Sequence, residues 1–288
     1  MAAKRISTLL AFTLAVVVVL GGVGLYRLWH KDGLRLVEED LRPVDKPAAV
    51  SLVVVTHGWV EKGKGGWPEE MAEAIAGQVD ANLWHCGYFD WRKGAMTINP
   101  VDAARYARDV AGAELAGQVL RPGAVYEHIH LIGHSSGAWV VNEAAKILAE
   151  KTSADIHLTF FDAFVPSNWD ERLLGDIRVK PPVELWVDHY YTRDYTLRWT
   201  QYDLTFAHNV DVTAIDQNIK DHNFPWKWYH ASVTGKYPKG HFLNDKKLVL
   251  VAEGIGYGFS RSKEGGGEEP WKRSLTLDRG NKAVRIEK

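Results

Sequence analysis

A tight turn from a strand into a helix is the feature that most restricts how this chain can fold. The pentapeptide Gly-His-Ser-Ser-Gly at residues 133–137 fits the pattern G-x-S-x-G and follows an apolar run at residues 129–132. The apolar stripe of a helix comes next, at Val141, Ala144, Ala145 and Leu148. Gly133 and Gly137 flank Ser135 and let the strand and the helix approach without Cβ clashes. In this context the pattern is typical of a nucleophile elbow.

Further strand and helix patterns alternate on both sides of this turn. Residues 49–56 form a continuous apolar run, which is typical of a strand buried on both faces of a parallel sheet. Residues 82–89, 156–161 and 183–191 also have strand character, and between the strands Pro68 begins one helix and Asn99 caps another that runs to about Leu120. The alternation predicts an α/β fold with a mainly parallel sheet, helices on both faces, and ligands at the carboxyl ends of the strands.

The N-terminal segment has the character of a membrane helix. No charged residue lies between Arg5 and Arg27, and residues 6–26 are mostly Leu, Val, Ala and Phe, long enough to cross a bilayer. No A-x-A-like cleavage site follows, which favours an uncleaved anchor over a cleaved secretory signal. We therefore expect a membrane-anchored protein whose main domain lies on the outer (periplasmic or extracellular) side, with secretion after signal cleavage as the alternative.

Composition shifts divide the chain into four parts. Residues 1–29 are predicted to form the signal anchor. Residues 30–48 are charged and contain Pro43 and Pro47, and they are predicted to form a linker. Residues 49–261 carry the strand and helix patterns and are predicted to form one α/β domain. The glycine-rich and charged residues 262–288 are predicted to be a flexible tail.

Charge and cysteine content exclude several kinds of partner. The net charge is −1, so the chain has no basic field that would attract nucleic acid. The single cysteine, Cys86, excludes an internal disulfide bond and a cysteine-based metal site, and is predicted to be a small buried residue. His128 and His130 share a strand face but have no third ligand nearby. We expect neither a metal nor a cofactor.

A serine at an elbow needs other groups before it can act as a nucleophile. A histidine must accept its proton, a carboxylate must orient that histidine, and N–H groups must stabilise the oxyanion. The backbone N–H of Ser136 follows the nucleophile and is the first oxyanion donor. The second is expected after an earlier strand, where His57-Gly58-Trp59 makes the Trp59 N–H the natural choice.

The acid and the base have several candidates each. Asp162 ends the strand that follows the elbow helix, Asp194 follows the next strand, and Asp90 is a third possibility. The chain order Ser, Asp, His requires a late histidine, and five are available: His189, His208, His222, His230 and His241. His222 lies in a loop from which its side chain can reach Ser135.

Several blocks of this sequence resemble the pancreatic lipase family. They include Cys-Gly-Tyr-Phe-Asp-Trp-Arg-Lys-Gly-Ala at residues 86–95, Val-Ala-Gly-Ala-Glu-Leu-Ala at residues 110–116, and the elbow block at residues 130–138. His57-Gly58-Trp59 resembles the family's oxyanion turn, and Phe-Asp-Ala-Phe-Val-Pro at residues 161–166 resembles its acid block. His-Asn-Phe-Pro-Trp-Lys-Trp-Tyr at residues 222–229 resembles its histidine block.

This resemblance implies an α/β-hydrolase fold in which Ser135 is the nucleophile, Asp162 the acid and His222 the base. It also implies hydrolysis of carboxylic esters, with lipid or acyl esters as substrates. Ser136 and Ala163 depart from the family pattern without removing a catalytic group. One cysteine cannot close the family's disulfide-bonded lid, and the chain after Tyr229 is expected to be too short for its C-terminal β-sandwich.

Three functions are compatible with these residues. The first is a serine hydrolase that cleaves esters through an acyl-enzyme. An amidase, thioesterase or peptidase would use the same groups, because the elbow does not specify the leaving group. A non-catalytic binding protein that keeps the fold is the hypothesis from another class. The sequence does not point to a protein partner.

Overall fold

An eight-stranded sheet forms the centre of the computed structural model. The structure describes residues 32–37, 50–121, 125–193, 198–213, 222–234, 249–251, 257, 274–276 and 285–287. The strand order is β1-β3-β2-β4-β5-β6-β7-β9. Only β1 runs antiparallel to its neighbour among these eight strands, so the sheet is mainly parallel.

The strands are short and their bounds are as follows. The main sheet contains β1 (Gly33–Leu36), β2 (Ser51–Thr56), β3 (Trp84–Asp90), β4 (His128–His134), β5 (Asp155–Phe161), β6 (Leu185–Tyr191), β7 (His208–Asp211) and β9 (Ser274–Thr276). Two further strands, β8 (Val249–Val251) and β10 (Arg285–Glu287), pair with each other.

Helices connect the strands. They are α1 (Trp67–Ala76), α2 (Arg92–Ala95), α3 (Pro100–Tyr106), α4 (Gly112–Val119), α5 (Gly137–Lys151) and α6 (Phe224–Thr234), with a π-helical turn at Ala107–Ala111 and 3₁₀ turns at Glu171–Leu173 and Arg198–Thr200.

The sheet separates two apolar cores. Leu52 and Val54 of β2 point to the core formed with α3, α4 and α5, whereas Val53 and Val55 point to the core formed with α1 and α6. All four side chains are fully buried. Because consecutive strand residues face opposite sides of a sheet, a strand covered on both faces needs the continuous apolar run seen in its sequence.

The predicted α/β architecture is confirmed, with its parallel sheet and helices on both faces. Asn99 is the N-cap of α3, and its Oδ1 accepts a hydrogen bond of 2.9 Å from Asp102 N. Cys86 is buried in β3, as predicted. The long helix after Asn99 is interrupted by the π-helical turn, which the apolar pattern does not reveal.

The segments predicted to be a linker and a tail contain short strands. Strand β1 lies within residues 30–48 and pairs with β3, because Leu34 and Leu36 pack onto the apolar core. Strands β9 and β10 lie within residues 262–288 and pair with β7 and β8. Strands of three or four residues are too short to show an apolar period, so the sequence pattern overlooked them.

The predicted anchor, residues 1–29, lies outside the described residues. Within the part of the chain that the structure describes, no helix is both long enough and apolar enough to cross a bilayer.

The cap at Asn99 leads to a stability prediction. Asn99→Ala removes the acceptor for the Asp102 N–H and should lower the free energy of unfolding by about 1 kcal/mol. Asn99→Ser keeps a capping oxygen and is the matched control, for which we expect a loss of only a few tenths of that value. Urea unfolding followed by circular dichroism measures both variants, and equal stability of the two would contradict a capping role.

Candidate active site

The predicted elbow lies between β4 and α5 at the carboxyl edge of the sheet. Ser135 has φ +52°, in the left-handed region that residues with a side chain rarely adopt. Its backbone is held on both sides: Ser135 N donates to Phe161 O (2.9 Å), and Ser135 O accepts from Phe164 N (3.2 Å). Neighbouring chain segments therefore hold the strained conformation in place.

The two flanking glycines are required by close backbone contacts. A Cβ at Gly133 would lie 2.5 Å from Gly137 O, and a Cβ at Gly137 would lie 2.3 Å from His57 O. Both distances are far below van der Waals contact. The elbow helix is thus packed directly against the start of the predicted oxyanion turn, which explains why both positions are glycine.

Asp162 and His222, the acid and the base that the family resemblance implies, lie together. The distance from Asp162 Oδ2 to His222 Nδ1 is 3.0 Å. Asp162 follows β5 with φ +40° and is fully buried. Its carboxylate also accepts hydrogen bonds from the backbone N–H (2.8 Å) and the hydroxyl (3.4 Å) of Thr192. These donors favour the ionised carboxylate, which can then orient the imidazole.

His222 reaches the site from the loop before α6. Its ring is partly exposed, with its centroid 4.5 Å from that of His134, the residue that precedes Ser135. Its backbone O lies 3.1 Å from His134 Nε2. The loop that carries His222, called the base loop below, therefore contacts the elbow as well as Asp162.

Asp90, another candidate acid, does not occupy this position. Asp90 pairs with His57 (3.3 Å) and Arg92 (2.8 Å) beside the oxyanion turn. Burial raises the pKa of Asp90, but hydrogen bonds and charges from His57 and Arg92 have a larger effect in the opposite direction. The net pKa of Asp90 is well below its usual range. Asp194 lies outside the described residues.

Three of the remaining late histidines, His189, His208 and His230, have other environments. His189 is buried in β6, where its Nε2 accepts a hydrogen bond from Ala163 N, and burial lowers its pKa to about 4. His208 is buried in β7. His230 lies in α6, 4.0 Å from Glu70. His241 lies outside the described residues.

The predicted oxyanion turn is anchored by the tryptophans around it. Trp59 Nε1 donates to Thr97 O (2.9 Å), and Trp91 Nε1 donates to His57 O (2.8 Å). Val60, the next residue, has φ +60°, which is rare for a β-branched side chain. These contacts fix the backbone on which the Trp59 N–H is carried, while Ser136 begins the elbow helix.

Two polar residues of the site were missed by the sequence analysis. Glu61 lies two residues after the predicted oxyanion turn, and its Oε2 accepts hydrogen bonds from Gly58 N (2.6 Å) and Trp67 Nε1 (3.3 Å). The same oxygen lies 3.1 Å from Nδ1 of His134, the x residue before the serine in G-x-S-x-G. A carboxylate four residues after His57 was the only signal in the sequence for this pair.

In the described part of the chain, no cluster of three or more His, Cys, Asp or Glu side chains is arranged to hold a metal ion.

Ser135 adopts a left-handed backbone conformation between a parallel strand and a helix. An acid follows the next strand, and a histidine lies further along the chain. This arrangement defines an α/β-hydrolase fold. Residues 26–162 match the family model described as Lipase, which confirms the predicted resemblance to the pancreatic lipase family. The matched region includes Ser135 and Asp162 but ends before His222.

Individual relatives match a similar region. Pancreatic lipase-related protein 2 of Rattus norvegicus is 34% identical over 142 residues, 48% of this chain and 28% of the rat protein. The Homo sapiens protein of the same name is 30% identical over 144 residues, with the same coverage of both chains. Inactive pancreatic lipase-related protein 1 of Canis lupus familiaris is 34% identical over 94 residues, 31% of this chain and 19% of the dog protein. The chain thus spans less than a third of the length of these relatives.

The glycine contacts lead to a second stability prediction. Gly137→Ala should destabilise the protein by several kcal/mol, because its Cβ would collide with His57 O and displace the elbow or the oxyanion turn. Gly117→Ala in α4 is the matched control, because nothing lies within 4 Å of its added Cβ and alanine favours a helix by about 1 kcal/mol. Thermal unfolding compares the variants; a Gly137→Ala protein as stable as Gly117→Ala would refute the close contact.

Proposed function

We propose that this protein is a serine hydrolase that cleaves carboxylic esters through an acyl-enzyme intermediate. The observation that carries the proposal is the 3.0 Å contact between Asp162 Oδ2 and His222 Nδ1, beside a serine in a left-handed elbow. The match of residues 26–162 to the lipase family model supports the same reaction class.

In the proposed mechanism, Ser135 Oγ attacks the ester carbonyl while His222 Nε2 accepts its proton. Asp162 keeps the proton on Nδ1 and stabilises the imidazolium that forms. The N–H groups of Trp59 and Ser136 stabilise the oxyanion of the tetrahedral intermediate. His222 then protonates the leaving alcohol. In the second half of the reaction, His222 accepts a proton from a water molecule, and this water attacks and hydrolyses the acyl-enzyme.

Lipid or acyl esters are the proposed substrates. Several relatives are named pancreatic lipase-related proteins, and a relative from Mus musculus is named a pancreatic triacylglycerol lipase. An amide or thioester would meet the same nucleophile, and p-nitrophenyl esters, anilides and thioesters of matched chain length distinguish these substrates.

A non-catalytic binding protein is the second candidate function. The observation in its favour is that some relatives carry the word inactive in their names. Labelling of Ser135 by a fluorophosphonate probe separates this candidate from the hydrolase, because the probe reacts only with an activated serine.

We also propose that the hydrolase domain, residues 49–261, is held at a membrane by residues 1–29 and faces the outer side. The apolar residues 6–26 support this proposal. Release of the protein after signal cleavage would instead leave it soluble, and N-terminal sequencing of the mature chain distinguishes the two outcomes.

The nucleophile leads to a direct prediction. Ser135→Ala should reduce hydrolysis of p-nitrophenyl butyrate to background and abolish fluorophosphonate labelling, because no hydroxyl remains to form the acyl-enzyme. Ser153→Ala, which changes an exposed serine after α5, is the matched control and should keep wild-type activity and labelling. Hydrolysis that survives in the Ser135→Ala protein would refute the assignment.

The acid leads to a separate prediction. Asp162→Asn should lower kcat by about 10⁴-fold. The amide NH2 of asparagine can donate to His222 Nδ1, which leaves the ring proton on Nε2, so Nε2 can no longer accept the proton of Ser135. Asp170→Asn is the matched control: this carboxylate pairs with Arg172 on an exposed loop and should leave kcat unchanged. A kcat within tenfold of wild type for Asp162→Asn would show that another group, such as Asp194, orients His222.

A further inference from the structure

The pair formed by the buried His134 and the half-buried Glu61 is a polar element of the site that the proposed mechanism does not use. His134 ends β4, and its side chain is only 2% exposed. Its two ring nitrogens contact different segments of the chain. Nδ1 lies 3.1 Å from Oε2 of Glu61, which follows the oxyanion turn, and Nε2 lies 3.1 Å from the backbone O of His222. One imidazole therefore joins the two segments that must meet at Ser135.

The hydrogen bonds define the charge of this ring. A backbone carbonyl can only accept a hydrogen bond, so Nε2 must carry a proton. Glu61 Oε2 already accepts from Gly58 N and Trp67 Nε1, so it is the acceptor for Nδ1 as well. Both contacts are satisfied together only when His134 is a doubly protonated imidazolium and Glu61 a carboxylate.

Electrostatics favour the same protonation states. Burial lowers the pKa of His134, but the charge and hydrogen bond of Glu61 raise it more, with smaller contributions from Asp162 and the His222 carbonyl, and the net pKa is raised. For Glu61, burial raises the pKa, but His134 and the Gly58 N–H lower it to about 2. The titratable side chains that face this pair are His57 of the oxyanion turn and Asp162 at the end of β5, and the loop of His222 contributes its backbone carbonyl.

The position of Glu61 gives this charge a consequence. A Cβ at Gly58 would lie 2.8 Å from Ser135 Cβ and 3.2 Å from Glu61 Oε2, so the serine and the carboxylate are close to the same peptide. An unpaired carboxylate beside the oxyanion hole would repel the negative charge that develops on the substrate. A charged His134 removes that repulsion.

We propose that His134 is a positioning residue of the hydrolase: as an imidazolium it ties the oxyanion turn to the loop that carries His222, and it neutralises Glu61 beside the oxyanion hole. The inference rests on the proposed ester hydrolysis, since it names a further requirement of the same site. His134 acts through Glu61 and His222 and forms no bond to the substrate.

The first test is a comparison of three full-length variants with p-nitrophenyl butyrate. His134→Gln should lower kcat by about 10- to 100-fold and change KM by less than about threefold, because the loss falls on the oxyanion of the transition state. Adding Glu61→Gln to His134→Gln removes the uncompensated carboxylate and should restore part of kcat. His130→Gln is the matched control, since His130 is a buried, hydrogen-bonded histidine on the same strand and should keep wild-type kcat.

The second test is the pH profile of kcat. Because the folded pKa of His134 is raised, the ion pair is complete at low pH and is lost as the pH rises through that pKa. Wild type and His130→Gln should therefore lose kcat on the alkaline side, whereas His134→Gln should have no such loss. A purely structural role for His134 would lower kcat equally at every pH.

Several results would overturn the proposal. The first is a His134→Gln variant that keeps the kcat of wild type and the same loss of kcat at alkaline pH. The second is a variant with both His134→Gln and Glu61→Gln that is less active than His134→Gln alone. Where His134→Gln fails to fold, ¹⁵N NMR of the histidines in wild-type protein decides: both His134 nitrogens should be protonated at pH 7, and a neutral ring overturns the proposal. Absence of Ser135-dependent hydrolysis in wild type would instead refute the proposed function, and the NMR titration would still decide the charge of His134.

Discussion

The close contact among β4, α5 and the turn at His57 is the constraint on which the rest of the site depends. Gly137 lies against the His57 carbonyl, and Gly133 against Gly137, so no larger residue fits at either position. This contact holds Ser135 in its left-handed conformation. It also brings the predicted oxyanion turn next to the nucleophile, since the turn and the start of α5 share one contact. Any movement of the helix would change both parts of the site together.

Three carboxylate–histidine pairs lie at the same edge of the sheet, and their surroundings separate their roles. Asp162 pairs with His222, Asp90 with His57, and Glu61 with His134. In the second pair, both ring nitrogens of His57 also contact the backbone: Nδ1 lies 3.0 Å from Gly58 O and Nε2 lies 3.1 Å from Trp91 N. In the third pair, both nitrogens of His134 bind acceptors. His222 differs from both, because it belongs to a partly exposed loop and its Nδ1 contacts a carboxylate already held by Thr192. The local donors and acceptors, and not the residue types, distinguish the proposed base from the positioning groups.

Sequence patterns predicted the long, regular elements well and the short or fully buried ones poorly. Strand β2 and helix α5 have clear apolar patterns because each meets a core along its length. Strands β1 and β7 have four residues each, too few to show a period. Helix α6 is buried on nearly every side by aromatic residues, so it has no polar face from which to recognise a helix. The short strands within the predicted linker and tail, β1, β9 and β10, were likewise too short to recognise from the sequence.

The sequence by itself determined the elbow, the order of the strands and helices around it, and the short set of acids and histidines from which the site is drawn. The glycine spacing and the apolar runs are local properties, and local sterics and burial are sufficient to interpret them. Only the tertiary structure decided which acid faces which histidine, because Asp162 and His222 are sixty residues apart and meet through the packing of α6 on the sheet. It also revealed the Glu61–His134 pair, whose charge depends on three chain segments meeting in a buried place where each polar atom needs a partner.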